Sequence, residues 1–208
     1  TLVGVTKGVP VETIHQAISC GVTELGENRV QEAQLKHVSL LTRHSSLRWH
    51  LIGHLQRNKA KEAIALFDLI HSVDSVLLAQ ELERQAAKQA QGSRFKVQGI
   101  EVFLQVNVSG EATKFGCRPE DAVGLARAVR GLPHLRLRGL MTVAPFSDNP
   151  EDARPVFRKL RELKDSLTSN FGLPASDFQL SMGMSHDFEV AIEEGADLVR
   201  IGTAIFGD

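Results

Sequence analysis

The chain contains no tyrosine, and aromatic residues of every kind make up 5% of its 208 residues. A phenol is therefore not among its acid/base groups. Cysteine is nearly as scarce. Cys20 and Cys117 stand far apart, without C-x-x-C spacing and with no histidine cluster beside them, which excludes a disulfide scaffold and a zinc ribbon and fits a reducing compartment. Both are read as small buried hydrophobes. Neither sign of charge is in excess: 24 basic side chains stand against 25 acidic ones, for a formal net charge of −1. No global field draws such a chain to nucleic acid or to an anionic membrane. No apolar run approaches the ~18 residues of a membrane span, and no basic start precedes a short apolar core and cleavage site. A cytoplasmic location follows as an expectation.

What is present is an ordinary core, 42% apolar, arranged in eight short strand-like runs. They are LVGVTK (2–7), TELGEN (23–28), RWHLIG (48–53), DLIHSVD (68–74), EVFLQVN (101–107), LRLRGLMTV (135–143), FQLSMG (178–183) and DLVRIG (197–202). Between them lie amphipathic segments. Val11, Ile14, Ala17 and Ile18 recur at helical spacing, as do Ala122, Leu125, Ala126 and Val129 behind Pro119, a residue suited to a first helical turn. Strands separated by helices pair in parallel, and eight such units without a break in composition predict one domain over residues 1–208, a closed (β/α)8 TIM barrel. An open doubly wound sheet is the alternative. The sequence opens on the first strand and stops just beyond the eighth, so helices flanking the barrel at both ends are expected to be missing. AKQAQGSRFK (87–96) reads as a surface loop.

Barrel sites are built where strands end at their carboxyl side. Lys7 stands at that edge of the first strand. An amine desolvated among apolar neighbours is less readily protonated and can attack a carbonyl, so Lys7 is a Schiff-base candidate, with a solvated lysine snorkelling off a strand end as the competing reading. RIGTAIFG (200–207) ends the last strand with Arg200 and then offers Gly202 and Thr203, whose backbone N–H groups can face an anion, in the region where barrels commonly bind phosphate. Ser185, in LSMGMSHDF (180–188), adds a hydroxyl to the same cup. Taken singly, Gly202 is also a turn glycine and Ser185 also a helix cap. Closing the barrel makes the first and eighth strands neighbours, and an aldehyde trap beside a phosphate cradle describes pyridoxal 5′-phosphate.

VTK (5–7), GENRVQE (26–32), WHLIGHLQRNK (49–59), IHSVDS (70–75), QVNVSGEATKFG (105–116), GLMTV (139–143) and LSMGMSHDFEVAIEEGADLVRIGTAIFG (180–207) resemble the pyridoxal phosphate homeostasis protein family over essentially the whole chain. The resemblance implies the barrel of the alanine racemase N-terminal domain and covalently held pyridoxal 5′-phosphate. It also implies a part in vitamin B6 and amino-acid balance without an established reaction. Carried over, Lys7 looks like the lysine that condenses with the cofactor. Arg200 looks like the residue facing the pyridine nitrogen, and Ser185, Gly202 and Thr203 look like phosphate ligands. A guanidinium keeps its proton, so the ring nitrogen beside Arg200 stays unprotonated and the ring is a weaker electron sink.

The alternative is an amino-acid racemase of low activity. Two-base racemisation needs a second acid/base opposite the lysine, which alanine racemase takes from a tyrosine on a separate domain, and this chain has no tyrosine. Thr142-Val143 stands where racemases are similar but read Thr-His. Lys114, in GEATKFG, falls near the place of a racemase arginine. It is either a second amine, for passing cofactor on or holding a carboxylate, or a solvated loop lysine. Asn28 and Glu27, ending the second strand, are candidates for the 3-hydroxyl side of the cofactor, with a turn asparagine as the other reading. His50, His54 and His71 read as hydrogen-bonded core or rim residues, Trp49 as packing, and QRNKAK (56–61) as a solvated helix start. A class I aldolase is disfavoured because the fifth and sixth strands carry no lysine. The expected protein is a monomeric, non-catalytic carrier of pyridoxal 5′-phosphate. It is expected to meet cofactor-free enzymes transiently, and to have no metal site, nucleic acid or membrane partner.

Overall fold

The computed structural model describes residues 1–41, 46–92 and 99–207, and in it eight parallel strands close into a barrel in chain order. The strands are β1 (Leu2–Val5), β2 (Glu24–Glu27), β3 (Arg48–Leu51), β4 (Leu69–Val73), β5 (Ile100–Gln105), β6 (Leu135–Met141), β7 (Gln179–Met184) and β8 (Leu198–Ile201). Each is followed by a helix: α1 (Val11–Ser19), α2 (Val30–Leu41), α3 (Ala60–Leu66), α4 (Val76–Gly92), α5 (Ala122–Arg130), α6 (Arg154–Phe171), α7 (Phe188–Glu193) and α8 (Thr203–Phe206). The seam is closed by β1 on β8, with Val3 opposite Arg200. The chain thus has the (β/α)8 fold expected from its alternating runs, and the open sheet is excluded.

Alternation along the strands sorts two apolar layers. Val3, Leu69, Phe103, Met141 and Leu198 come from five strands and touch one another, which in a closed barrel is possible only inside it. The lumen is therefore packed rather than open. Residues of opposite parity, among them Leu25, Leu51, Ile70, Leu104, Leu140 and Leu180, face outward against Ile14, Leu40, Leu82, Leu125 and Phe157 of the helices. Burying each such side chain contributes about 1.5–3 kcal/mol. In α5 the residues at helical spacing behind Pro119 are those that are buried: Ala122, Leu125, Ala126 and Val129.

Gly183 bends the site end of β7. Its φ is +91°, and a Cβ there would stand 2.6 Å from the Cβ of Ala191, so only glycine lets α7 pack this close to the strand. The register between β7 and β8 shifts at the same place, between Ser181 and Met184. The bend turns the next residues toward the barrel mouth.

Three local expectations are corrected. Residues 87–92 of the supposed loop are the last turns of α4, because Ala86 and its neighbours continue that helix's buried stripe, and residues 93–96 lie outside the described residues. A helix does follow the eighth strand, though α8 is only four residues long. Cys20 is exposed and Cys117 half-buried, both as free thiols. Cys20 caps the C-terminus of α1 on the outer face, while burial pushes the Cys117 thiol up to about 12. No helix among the described residues is long and apolar enough to cross a membrane.

Candidate functional site

β1 ends at Val5, so Lys7 lies two residues past the strand, in a turn, with its side chain exposed. The expected apolar enclosure is not there. What the turn has instead is a clamp on its backbone. Lys36, reaching in from α2, donates to the carbonyl of Thr6 at 2.5 Å, while the amide of Gly8 donates to Glu32 at 2.6 Å. The residues before and after Lys7 are thereby held by two partners. These two partners are themselves bound, Lys36 Nζ lying 2.7 Å from Glu32. Gly8 takes a φ of +71°, a left-handed turn that glycine adopts without strain.

Beneath the clamp lies Glu27, fully buried. One oxygen accepts from Thr6 Oγ1 at 2.6 Å and from Lys36 at 2.8 Å, and the other is buried without a hydrogen bond among the described residues. Burial raises its carboxyl, against the opposing hydrogen bonds from Lys36 and Thr6. Glu27 therefore does not reach the mouth, as its place at the end of β2 had suggested. It shares parity with Leu25 and faces the helices. Asn28, one residue on, is half-buried and lines an open recess of about 270 Å³ with Arg29, His54, Gln56 and Lys59.

Across the seam, Arg200 is 3% exposed. Its Nη1 donates to Ser181 Oγ at 2.6 Å and its Nη2 to the carbonyl of Thr142 at 2.8 Å. Nε makes no hydrogen bond among the described residues. Burial lowers the guanidinium to about 10, helped back by the charge of Asp187, so it stays cationic at neutral pH. Thr142 in turn donates from Oγ1 to the carbonyl of Val106, and Val143 packs against the lumen cluster.

The hydroxyl of Ser185 accepts from the amides of Gly202 at 3.1 Å and Ala204 at 3.4 Å. Two backbone donors thus converge on one oxygen just past β7 and β8. Thr203 lies between them, exposed, at the start of α8. Ser185, His186, Thr203, Ala204 and Gly207 line an open depression of about 320 Å³. Asp187 braces the turn by accepting from the amide of Met184 at 2.6 Å.

Lys114 sits on the loop after β5, half-buried, and its carbonyl accepts from the side-chain amide of Asn107 at 3.2 Å. Next to it Phe115 stacks on His54 with ring centres 3.9 Å apart. His50 and His71 are buried inside the barrel and hydrogen-bonded to each other at 2.9 Å. Among the described residues no three His, Cys, Asp or Glu side chains are grouped to hold a metal ion.

The structure thus gathers Lys7, Ser185, Arg200, Gly202 and Thr203 around the β1–β8 seam, while Asn28 and Lys114 lie on the loops after β2 and β5. Sequence reasoning missed Lys36, Glu32 and Ser181. The GENRVQE run held a signal for Glu32, whose spacing from Lys36 is that of an ion pair on one helix face. Ser181 carried no local signal.

The family model for the alanine racemase N-terminal domain matches residues 4–208. A pyridoxal phosphate homeostasis protein of Aquifex aeolicus is 47% identical over 208 residues, covering 100% of this chain and 86% of its own length. The solved structure of PipY from Synechococcus elongatus with PLP bound superposes with a TM-score of 0.85 at 35% identity, covering 100% of this chain and 92% of that one. An alanine racemase of Clostridium difficile, at 16% identity and a TM-score of 0.80 over 100% of this chain and 54% of its own, shares the fold. Built on that barrel and matched along its whole length, the chain belongs to the pyridoxal phosphate homeostasis proteins, within the alanine racemase N-terminal domain family.

Proposed function

We propose that the protein binds pyridoxal 5′-phosphate and serves vitamin B6 homeostasis by holding the cofactor covalently on Lys7 and releasing it again, without robust catalysis. The observation that carries this reading is the convergence at one seam of an exposed primary amine, a buried guanidinium with an unused N–H, and backbone amides gathered on a serine hydroxyl. The donor set fits the cofactor's three functional groups. When bound, the cofactor supplies an aldehyde that condenses with a primary amine, releasing water.

Lys7 presents that amine on a turn held from both sides, so the chain before and after it is ordered while the side chain itself remains accessible. The Thr203 amide and the Ser185 hydroxyl, itself held by the amides of Gly202 and Ala204, would bind the phosphate by hydrogen bonds. Arg200 offers Nε–H to the ring nitrogen. A cationic guanidinium does not surrender that proton, so the ring remains a poor acceptor of carbanion charge, which suits storage better than turnover. Asn28 would hold the cofactor on its 3-hydroxyl side, and Lys114 would provide a second amine at the rim for handing the cofactor on to cofactor-free enzymes. The protein works as a monomer in the cytoplasm.

The test is to mix purified protein with pyridoxal 5′-phosphate, reduce with borohydride and map the adduct by mass spectrometry. The adduct is expected on Lys7 and lost in Lys7→Ala. No adduct, or one on another lysine of the unaltered chain, overturns the reading. Entry of solvent deuterium at Cα of L-alanine or L-serine far above the rate with free cofactor would favour the racemase instead.

A further inference from the structure

We propose that Glu24, His50, His71 and Ser181 form a one-way hydrogen-bond chain across the barrel lumen that positions Arg200 and answers its charge. The inference rests on the reading of Arg200 as the residue that meets the cofactor ring.

The links are continuous. Arg200 Nη1 lies 2.6 Å from Ser181 Oγ, Ser181 Oγ 2.9 Å from His71 Nδ1, His71 Nε2 2.9 Å from His50 Nδ1, and His50 Nε2 2.5 Å from Glu24 Oε2. They pass from β8 to β7, cross the lumen to β4, and run through β3 to β2. Ser181 and His71 are fully buried, and His50 is 1% exposed.

The two ends set the direction. Arg200 can only donate, and an ionised Glu24 can only accept. Ser181 Oγ, having accepted from Arg200, directs its own hydrogen to His71 Nδ1. His71 then donates from Nε2 to His50 Nδ1, and His50 donates from Nε2 to Glu24. Every group in the interior is satisfied once, with both imidazoles neutral and protonated on Nε2. Reversing the middle of the chain would place a bare His50 nitrogen against a carboxylate unless His50 carried both protons. Burial keeps His71 well below the usual imidazole range, and the charge of Arg200 acts in the same direction, in agreement with a neutral link.

The chain explains how a buried cation persists without a carboxylate in contact. No ion pair of Arg200 is formed among the described residues. Asp187 is the nearer opposing charge, and the chain links the guanidinium to a second one, Glu24, at the far side of the barrel, where Arg48 approaches it at 4.0 Å. Arg48 itself pairs with Glu101 at 2.8 Å, and Arg138 approaches Glu101 at 3.4 Å. Three neutral, aligned groups polarise one another between the two charges. With Nη1 committed to Ser181 and Nη2 to the Thr142 carbonyl, the plane of the guanidinium is fixed and its Nε edge is left for the ring. Glu24, His50, His71 and Ser181 are therefore positioning residues acting through Arg200.

Nitrogen-15 NMR of the imidazoles in the cofactor-free protein tests the direction without any variant. Both His50 and His71 are expected as neutral Nε2–H tautomers at neutral pH. A proton on Nδ1 of either ring, or a doubly protonated His50, overturns the chain. In the loaded protein, Glu24→Gln and Ser181→Ala are each expected to shift the visible absorbance band and weaken cofactor binding by roughly three- to tenfold, whereas Arg48→Ala leaves both unchanged. If Arg200→Lys alters the band while Glu24→Gln and Ser181→Ala do not, the chain is wrong and the reading of Arg200 stands. If Arg200→Lys itself leaves band and affinity untouched, that reading fails.

Discussion

Lys7, just past β1, and Arg200, on β8, flank the β1–β8 seam and are held in opposite ways. Around Lys7 the protein spends its charges on the turn itself: Lys36 and Glu32 clasp its backbone, Glu27 holds the Thr6 hydroxyl, and the lysine side chain is left in solvent. Around Arg200 it does the reverse, burying the cation itself and surrounding it with a hydroxyl, a carbonyl and neutral imidazoles. On the proposed reading, the group that reacts and lets go is kept exposed on a fixed base. A group that must only hold its charge in one place is buried and immobilised.

The sharpest way to break this contrast is Lys36→Met. It removes the cation from between a buried carboxylate and a half-buried one, and an uncompensated buried charge costs about 3–5 kcal/mol. Equilibrium urea unfolding should show that loss, and a cost below that of Arg200→Met would invert the comparison. Arg200→Met is expected to lose about 1–3 kcal/mol in the same measurement, since it strands the Thr142 carbonyl and part of the Ser181 hydrogen bonding but no carboxylate in contact. Ser185→Ala removes the hydroxyl on which two amides converge. A loss of roughly tenfold in cofactor affinity, equivalent to about 1.4 kcal/mol, is expected by titration calorimetry, with unfolding barely changed.

The smallest effect is in pH. Burial holds the Glu27 carboxyl above its ordinary 4.5, so the folded chain binds that proton more tightly than the unfolded one. Its contribution to stability falls as pH rises through the folded value and is recovered as pH drops toward 4.5. Lowering pH from about 7 to about 5 should therefore stabilise the unaltered protein relative to Glu27→Gln. The opposite slope would show that the Lys36 pairing outweighs burial.

The eight strands were legible because each is a short apolar run bounded by turns, and their carboxyl ends made Lys7, Ser185 and Arg200 candidates, with competing readings that only the family resemblance narrowed. Glu27 was misplaced by one step of alternation: it ends its strand beside the mouth, yet Leu25 two residues earlier shows which face it takes. Only the pairing of Lys36 with Glu32, four residues away on the same helix, left a trace in the sequence; its other partners are a backbone carbonyl 30 residues away and a carboxylate nine residues away on another element. Ser181 and His71 are separated by 110 residues, and only barrel closure makes them neighbours. Cys20 was taken for a core residue on its type alone, where its position at a helix end decided otherwise.

The pairing of Val3 with Arg200 has a consequence for biosynthesis. A growing polypeptide carries Lys7 from the start but gains its opposite wall only when β8 has been made and docked, and such distant pairings form late and slowly. On the proposed reading, capture of the vitamin would await that closure, and a chain halted before β8 would carry a bare amine with nowhere to seat the phosphate.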